Sequence, residues 1–439
     1  MKSNQSPNTS RRDFLATTAA VGAAGALAGN MSIAANAYPD GNDRLRVGLI
    51  GCGGRGTGAA AQNLRADPNV RLVAMGDAFQ DRLNGSLNEL LTNNRYQDIR
   101  GKVDVPRERQ FVGMNAYQNV IENCDVVILA TPPGFRPLHL AAAVNAGKNI
   151  FTEKPVAVDG PGIRSVLETY RRANQRNLSI VAGTQRRYQT SYTEAMRRIH
   201  NGDIGEITSA RCYWNQGRLW NRARTNTMTD LEWHIRNWLY FTWLSGDHIV
   251  EQHIHNIDVC CWAIRNHPVK ATGLGGREVR TQTEFGHIFD HHAIDYEFPN
   301  DVHVLSMCRQ IPGCDNNVSE AVVGTRGKWS SPRPGQGRYV MTGPNAWEFS
   351  RRDDNRPYEH EHVVLYRAIR SGEPINALQD VAHSTLAAIM GRMSTYTGKT
   401  VTWEQALNSQ EDLFDEARVT FETRIAMPAV AVPGQTELR

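Results

Sequence analysis

A glycine-rich turn between an apolar run and a helix-like run constrains the fold of this chain most. Residues 45–50 (LRVGLI) have the composition of a short buried strand, and residues 58–64 have that of a helix. The turn between them, residues 51–56 (GCGGRG), spaces its glycines as GxGxxG. In such a unit the first glycine permits a tight turn, the second lets a pyrophosphate approach the backbone, and the third lets helix and strand pack closely. The pattern predicts a dinucleotide site that uses Gly51, Gly53 and Gly56.

A second strand-like run ends close to an acidic residue. Residues 70–75 (VRLVAM) are followed by Asp77, which lies about 20 residues beyond the last glycine of the turn. An acid at that distance binds the ribose diol of the nucleotide, and its charge repels the 2′-phosphate of NADP. Asp77 therefore favours NAD, although the nearby Arg82 keeps NADP open, and a solvated turn is the other interpretation of Asp77.

Two more strand-like runs end in polar residues. Residues 125–132 (DVVILATP) and residues 149–154 (NIFTEK) each read as a buried strand followed by side chains that can bind a ligand. Ligands of parallel sheets bind at the carboxyl ends of the strands, so these side chains should meet at one edge. We predict that residues 44–185 form a nucleotide-binding Rossmann domain with a doubly wound parallel sheet.

The rest of the chain mixes strand-like and helix-like runs. Residues 207–214 and 302–308 resemble strands, whereas residues 363–369 and 381–396 resemble helices. We predict that residues 186–439 form an α+β domain with an open, mostly antiparallel sheet, which makes the whole chain an α/β protein.

A run of acids and histidines lies at residues 246–258 (GDHIVEQHIHNID). If this run is one helix, Asp247, Glu251, His255 and Asp258 share a face. Carboxylates and an imidazole aligned in this way can transfer protons. The spacing therefore predicts a catalytic stripe along the helix.

Together the glycine turn, residues 153–155 (EKP) and residues 251–258 (EQHIHNID) resemble the glucose-fructose oxidoreductase/inositol dehydrogenase family, Gfo/Idh/MocA. The family pattern for the last segment is DxGxHxxD. His255 and Asp258 match it, whereas Glu251 replaces the first acid and His253 replaces the glycine.

The resemblance implies a role for each matching residue. Thr131 and Pro132 would pass under the nicotinamide ribose, Glu153 would bind the nucleotide ribose, and Lys154 would face both nicotinamide and substrate. His255 would be the general base, with Glu251 orienting or tuning it. The resemblance also places Arg187 and Tyr188 in the cleft between the domains, and His253 adds an ionisable group at the substrate site. Members of this family are usually homodimers or homotetramers.

Residues 211–243 are rich in tryptophan and arginine, with five of the nine tryptophans of the chain. Aromatic faces stack on sugar rings, and arginines bind anionic substituents. Trp220 and Arg222 are the best candidates for substrate contact, because they lie in a polar, loop-like run. The alternative for these tryptophans is a core or an oligomer interface.

Nothing in the composition indicates a metal or a nucleic-acid site. Glu251, His253 and His255 are ligand types, but histidines two residues apart on a helix point in different directions. A further histidine cluster at residues 287–292 is predicted to lie in a solvated loop. The seven cysteines form no CxxC pair, and a net charge of +4 without a basic run argues against nucleic acid.

The N-terminus resembles a twin-arginine export signal. Arg11 and Arg12 precede the mildly apolar residues 16–29, and the small residues 35–37 fit a cleavage site. We predict a signal peptide at residues 1–37, a periplasmic protein, and no stable membrane span after processing. Because NAD is not supplied outside the cytoplasm, an exported dehydrogenase should hold its cofactor tightly or recycle it in place.

Three functions remain open. The first is an NAD(P)-dependent oxidoreductase that transfers a hydride between nicotinamide and a hydroxyl-bearing carbon of a sugar or cyclitol. The second is a redox-neutral, NAD-dependent glycosidase, which oxidises a sugar transiently, eliminates the glycoside and returns the hydride. The third is a saccharide-binding protein without catalysis that kept the fold.

Overall fold

The computed structural model describes residues 43–415 and 419–439, so the predicted signal peptide lies outside the described residues. Its first sheet has six parallel strands in the order β3-β2-β1-β4-β5-β6. The strands are β1 Leu45–Ile50, β2 Val70–Asp77, β3 Gln110–Val112, β4 Val126–Leu129, β5 Asn149–Thr152 and β6 Ile180–Ala182. The helices between them are α1 Gly54–Ala66, α2 Gln80–Thr92, α3 Ala116–Glu122, α4 Arg136–Asn145 and α5 Gly160–Gln175.

This strand order confirms the predicted doubly wound sheet. All four residues of β4 are buried, as a strand covered by helices on both faces requires. The order reverses between β1 and β4, and at such a switch point the loops after the two strands leave a crevice for a ligand. The glycine turn follows β1 and the Thr131-Pro132 dipeptide follows β4, so both border this crevice.

The second sheet has nine strands in the order β14-β13-β12-β11-β7-β10-β9-β8-β15. The pair β7 and β10 is parallel and the other pairs are antiparallel, which confirms the predicted mostly antiparallel sheet. The strands are β7 Ile207–Gln216, β8 Lys270–Gly276, β9 His291–Phe298, β10 Val302–Gln310, β11 Asn317–Gly324, β12 Lys328–Ser330, β13 Arg338–Thr342, β14 Trp347–Ser350 and β15 Val401–Thr402.

Eight helices of the described residues accompany this sheet. They are α6 Thr190–His200, α7 Asp230–Arg236, α8 Thr242–Ser245, α9 His248–Glu251, α10 Ile254–Ile264, α11 Pro357–Ser371, α12 Leu378–Thr397 and α13 Trp403–Leu407. Helix α12 is buried along most of its length and packs on β8 and α5, so it joins the two sheets through one core. The predicted domain boundary at residues 185 and 186 falls within a short 3-10 turn, Gln185–Tyr188.

The predicted single helix at residues 246–258 is two helices. Gly246 and Asp247 both have positive φ, 76° and 79°, so α9 begins only at His248, and a break at residues 252–253 precedes α10. The buried Asp247 carboxylate accepts hydrogen bonds from the Phe289 amide at 3.0 Å and the Tyr396 hydroxyl at 2.6 Å. Asp247 is therefore a structural anchor, and the expectation that it shares a face with Glu251 and His255 is wrong.

The histidine cluster at residues 287–292 is not a solvated loop. His287 and His292 are buried, and His292 lies on β9, where its Nδ1 atom bonds Thr395 at 2.9 Å. Successive side chains of β9 point to opposite faces of the sheet, so every second one is buried. The sequence did not indicate this strand, because the run is rich in polar residues. Among the described residues no helix has the length and hydropathy of a membrane span.

Candidate nucleotide and active site

A cavity of about 420 Å³ lies at the carboxyl ends of β1, β2 and β4. The predicted cofactor residues Gly51, Gly53, Gly56, Asp77, Thr131 and Pro132 line it. The predicted residues therefore meet at this cavity, because they lie at the carboxyl ends of parallel strands or in the turns and helix start that follow them.

The glycine turn has the shape that a pyrophosphate needs. Gly51 has φ of +96°, and a Cβ atom at Gly56 would lie 1.9 Å from the Gly51 carbonyl oxygen, so neither position accepts a larger residue. A Cβ atom at Gly53 would meet no protein atom within 4 Å, which leaves the backbone open toward the cavity. These residues fit the diphosphate of a dinucleotide at the start of α1.

Asp77 borders the cavity in a fixed orientation. Its two oxygens accept hydrogen bonds from the Cys52 amide at 2.7 Å and the Phe79 amide at 2.9 Å. Burial raises the pKa of Asp77 from its ordinary value. Arg82 lines the same cavity, so a cation as well as a carboxylate lies near the expected ribose.

The outer wall of the cavity comes from the second half of the chain, from residues 217–243, which we name the cover segment. Trp220, Arg222, Ile235, Arg236 and Trp238 of this segment line the cavity. The predicted substrate residues Trp220 and Arg222 therefore lie with Asp77 and the glycine turn. No local pattern could indicate this, because the segment reaches the first sheet only through the tertiary fold.

The cover segment is tied to the first sheet by charge and by aromatic contacts. The Arg236 guanidinium bonds both Asp81 oxygens at 2.8 and 3.0 Å and lies 4.0 Å from the centre of the Phe79 ring. The Trp243 ring meets Phe135 edge to face, with centroids 6.1 Å apart. These contacts lie beside the cavity and hold the wall against it.

Lys154 and Glu251 meet across the two halves of the chain. The Lys154 ammonium lies 3.0 Å from the Glu251 carboxylate and also donates to the Glu251 main-chain oxygen. Both side chains are mostly buried, with 11% and 13% exposed. Glu251 therefore orients Lys154, whereas the sequence had indicated His255 as the partner of Glu251.

His255 is the second residue of α10 and lies near the same lysine. Its ring stacks on Trp214 with centroids 5.7 Å apart, and its Nδ1 atom is buried without a hydrogen-bond partner. Burial, and then the positive charges of Lys154 and Arg186, hold the pKa of His255 well below its ordinary value. The imidazole is therefore neutral at pH 7 and can accept a proton.

A buried charge cluster that the sequence did not reveal surrounds Glu153. Arg55 of the glycine turn donates to Glu153 through Nε, and its Nη2 atom lies 3.6 Å from the fully buried Glu361. Burial and the neighbouring Glu153 raise the pKa of Glu361 well above its ordinary value. Arg55 thus links the glycine turn to the EKP segment, and Tyr358 covers its guanidinium at 5.1 Å.

The remaining predicted residues have structural partners. Arg187 bonds the buried Asp258 at 2.9 Å and Asp380 at 3.0 Å. Tyr188 is half-buried beside Arg187 in the 185–188 turn. His253 has no exposed surface and bonds Ser306 at 2.7 Å, so it lies in the core and does not fit the predicted contact with substrate.

One group of described residues has the composition of a metal site. Asp247, His248 and His292 offer ligand atoms within 4.8 Å of one another. However, the Asp247 carboxylate already accepts the Phe289 amide and the Tyr396 hydroxyl, so its oxygens are engaged in the core.

Comparison with known proteins agrees with this geometry. Residues 45–181 match the profile of an oxidoreductase family with an NAD-binding Rossmann fold, GFO_IDH_MocA, and residues 192–330 match the C-terminal domain of the same family. The chain belongs to the Gfo/Idh/MocA family. Residues 8–28 match the twin-arginine translocation signal, so the chain carries an export signal of that pathway.

Individual relatives of this Gfo/Idh/MocA protein cover only part of it. An inositol 2-dehydrogenase of Saccharopolyspora erythraea is 30% identical over 39% of this chain and 45% of its own length. A glycosyl hydrolase family 109 protein of Solibacter usitatus is 29% identical over 34% of this chain and 33% of its own length. The chain therefore spans less than half the length of these two curated relatives.

A solved structure shows the same fold. Scyllo-inositol dehydrogenase of Lactobacillus casei, solved with NAD(H) and scyllo-inositol, superposes with a TM-score of 0.62 at 18% identity. The match covers 82% of this chain and 99% of that one.

Proposed function

We propose that the protein is an NAD-dependent oxidoreductase that acts on a hydroxyl-bearing carbon of a sugar or cyclitol. The observation that carries the proposal is the meeting of Lys154, Glu251 and a neutral His255 beyond the nucleotide crevice. The inositol dehydrogenases among its relatives and structural neighbours support this substrate class.

The chemistry divides between cofactor and protein. Gly51, Gly53, Gly56 and Asp77 would hold the nicotinamide dinucleotide, which would supply the acceptor for the hydride of the carbinol carbon. His255, whose imidazole is neutral, takes the hydroxyl proton only transiently, because the burial and nearby cations that lower its pKa disfavour the charged form. Lys154 stabilises the negative charge that develops on the substrate oxygen, and Glu251 fixes the position of the ammonium. The product is a ketone or lactone with one proton left on the protein.

The cofactor stays with the protein between turnovers in this proposal. The cover segment forms the outer wall of the nucleotide cavity and is bound to Asp81, Phe79 and Phe135 of the first half of the chain. Release of the nucleotide then requires these contacts to break. Retention suits the periplasm, the compartment that a twin-arginine signal implies, where free NAD is not supplied.

NAD is the proposed cofactor in preference to NADP. Asp77 supports this choice, because its carboxylate borders the cavity where a 2′-phosphate would bring further negative charge. Arg82 and Arg222 line the same cavity and make NADP the competing ligand in any binding assay.

A second candidate is the redox-neutral cleavage of a glycoside. It is favoured by the similarity to a glycosyl hydrolase family 109 protein and by the proposed retention of the cofactor. Oxidation of one hydroxyl to a ketone acidifies the neighbouring C–H bond, and loss of that proton eliminates the aglycone. Water then adds to the resulting enone, and return of the hydride to the ketone completes the hydrolysis.

The decisive experiment uses the purified, folded protein without added nucleotide. Denaturation followed by mass and absorbance measurement identifies any released cofactor. In a separate sample, the folded protein is mixed with sugars and cyclitols while the nicotinamide absorbance at 340 nm is recorded. Retained NAD whose absorbance changes with a polyol supports the oxidoreductase. Cleavage of a nitrophenyl glycoside without net NADH supports the second candidate, and saccharide binding without either reaction overturns both.

A further inference from the structure

A second cavity, of about 540 Å³, opens on the other side of the proposed general base. Arg186, which borders this cavity, lies over the Trp214 ring at 5.6 Å, and the same ring stacks on His255. Val318, also in the lining, pairs with Trp214 between strands β11 and β7. The Trp214 side chain therefore stands between this cavity and His255, which does not itself line the cavity.

Two of the charged side chains around this cavity are already bound by protein groups. Arg186 pairs with the buried Glu320 at 2.5 Å. Asp354 accepts hydrogen bonds from the Gln189 amide at 2.6 Å and from the amide and hydroxyl of Ser191, both at 2.9 Å. Protein groups hold these residues in place.

Two other charges in the lining are uncompensated. Arg333 and Arg351 both line the cavity, and within residues 43–415 and 419–439 neither guanidinium forms an ion pair with a carboxylate. The cavity thus presents two free cations beside a single carboxylate that is already occupied. An anionic ligand would complete this charge arrangement.

The uncharged lining suits a saccharide. Tyr358 contributes exposed aromatic surface, whereas Tyr192 and Tyr339 are buried and pack edge to face on each other. Gln185 contributes a buried amide oxygen that has no hydrogen-bond partner. Sugar rings stack on aromatic faces, and a sugar hydroxyl can donate to the free amide oxygen.

The cavity continues along the second sheet. A smaller cavity of about 240 Å³ shares Ser331 and Arg333 with it and adds Arg211 and Lys328. The positive charge therefore extends beyond the space that borders the reacting centre.

Resting on the proposed function, we propose that this cavity is the substrate subsite for an anionic saccharide, with Arg333 and Arg351 binding its carboxylate or sulfate group. The reacting hydroxyl then lies toward His255 and Lys154, and the anionic substituent lies toward the arginines. Neutral sugars and cyclitols can react at the same centre, but they lack the group that the two cations bind.

The test follows nicotinamide absorbance of the holoprotein with matched substrates: glucose, glucuronate, glucose 6-sulfate and a uronate disaccharide. The proposal expects kcat/KM to be higher for an anionic sugar than for glucose. The comparison of the carboxylated with the sulfated sugar identifies the preferred anion. Arg333→Ala and Arg351→Ala should each lower kcat/KM for that sugar by about fivefold, as exposed ion pairs do, and should lower it less for glucose, which has no anionic group.

Arg352→Ala is the matched control, because Arg352 is next in sequence and does not line this cavity. Equal rates for neutral and anionic sugars, or the same loss in Arg352→Ala as in Arg333→Ala, would overturn the subsite. A change of native mass in Arg333→Ala would instead assign the arginines to a subunit interface and would overturn it too. If no sugar changes the nicotinamide absorbance, it is the proposed oxidoreductase function that fails.

Discussion

The nucleotide cavity differs from the second cavity, which Arg333 and Arg351 line, in whether its arginines are paired with carboxylates. At the first, Arg236 of the cover segment is paired with Asp81 and packed on Phe79. At the second, Arg333 and Arg351 have no carboxylate partner among the described residues. Arg236 is therefore engaged inside the protein, although Arg82 and Arg222 also line the first cavity, whereas Arg333 and Arg351 are available to a ligand.

This difference matches two kinds of ligand exchange. A molecule behind a wall of ion pairs and aromatic contacts leaves only when those contacts break, so it exchanges slowly. A molecule bound by exposed cations enters and leaves through solvent, so it exchanges quickly. The comparison teaches that a resident cofactor and an exchanging substrate need opposite uses of the same residue types, arginine and the aromatics.

The largest effect should come from Lys154, which is paired with Glu251. Lys154→Ala removes the ammonium that Glu251 orients, so we expect hydride transfer to slow by about 10³-fold to 10⁴-fold while the cofactor stays bound. Single-turnover absorbance at 340 nm measures the rate, and the cofactor content of the purified variant measures retention. Lys148→Ala, a nearby lysine before β5, is the control. Loss of cofactor with an unchanged rate per bound cofactor would contradict the role.

The next effect tests the neutral imidazole. His255→Ala should slow hydride transfer by about 10²-fold to 10³-fold, because the hydroxyl proton loses its acceptor. In the unmodified protein the pKa of His255 lies well below its ordinary value, so kcat/KM should stay level as the pH falls from 8 to 6.5. A rate that halves near pH 6.5 in the unmodified protein and becomes level in the variant would show that His255 is protonated there.

Much of the first sheet could be predicted because its signals are local. An apolar run, a glycine turn and a helix follow one another within residues 45–66, and the acid at Asp77 ends the next strand. The motif is continuous in sequence and can be recognised there, although β1 also pairs with the distant β4 in the folded sheet. The nucleotide cavity was therefore located from spacing alone.

The active-site partners could not be predicted in the same way. Lys154 and Glu251 are 97 residues apart, and their pairing depends on how the two halves of the chain pack. Asp247 fell on the expected stripe only if the helix was continuous, but its positive φ places it outside α9. Trp220 was predicted to contact a substrate, and only the tertiary fold brings it to the nucleotide cavity.

A smaller effect tests the retaining wall. Arg236→Ala removes the Asp81 ion pair and the contact with Phe79, so we expect the bound nucleotide to dissociate about tenfold faster. Loss of nicotinamide fluorescence after dilution measures this rate. Arg65→Ala is the control, because Arg65 forms a comparable pair with Asp98 at 2.6 Å but does not line the cavity. If the nucleotide dissociates equally fast from both variants, the cover segment does not retain it.

The smallest effect concerns acid sensitivity of the same wall. His234 lies in α7 of the cover segment, and its Nδ1 atom accepts the Trp243 indole N–H at 3.1 Å. Burial lowers the pKa of His234 to about 3, whereas the unfolded chain takes up the proton near the ordinary value of 6.5. This contribution to stability is therefore full above pH 6.5 and is lost as the pH falls from 6.5 toward 3.

The change from pH 6.5 to 5.5 should cost roughly 1 kcal/mol of unfolding free energy through this one histidine. His234→Asn keeps an acceptor for Trp243 but cannot titrate, so its stability should fall less over that interval than the stability of the unmodified protein. Urea unfolding at the two pH values measures the difference. His303→Asn is the opposing control. Asp295 raises the pKa of His303, so the protonated imidazole stabilises the fold as the pH falls, and the variant should lose more stability than the unmodified protein over this interval. An identical pH dependence in the His234 variant and the unmodified protein would show that the wall does not depend on a neutral imidazole. Retention of the cofactor would then be independent of pH in this range, and the difference between the two cavities would rest on ion pairs and aromatic packing alone.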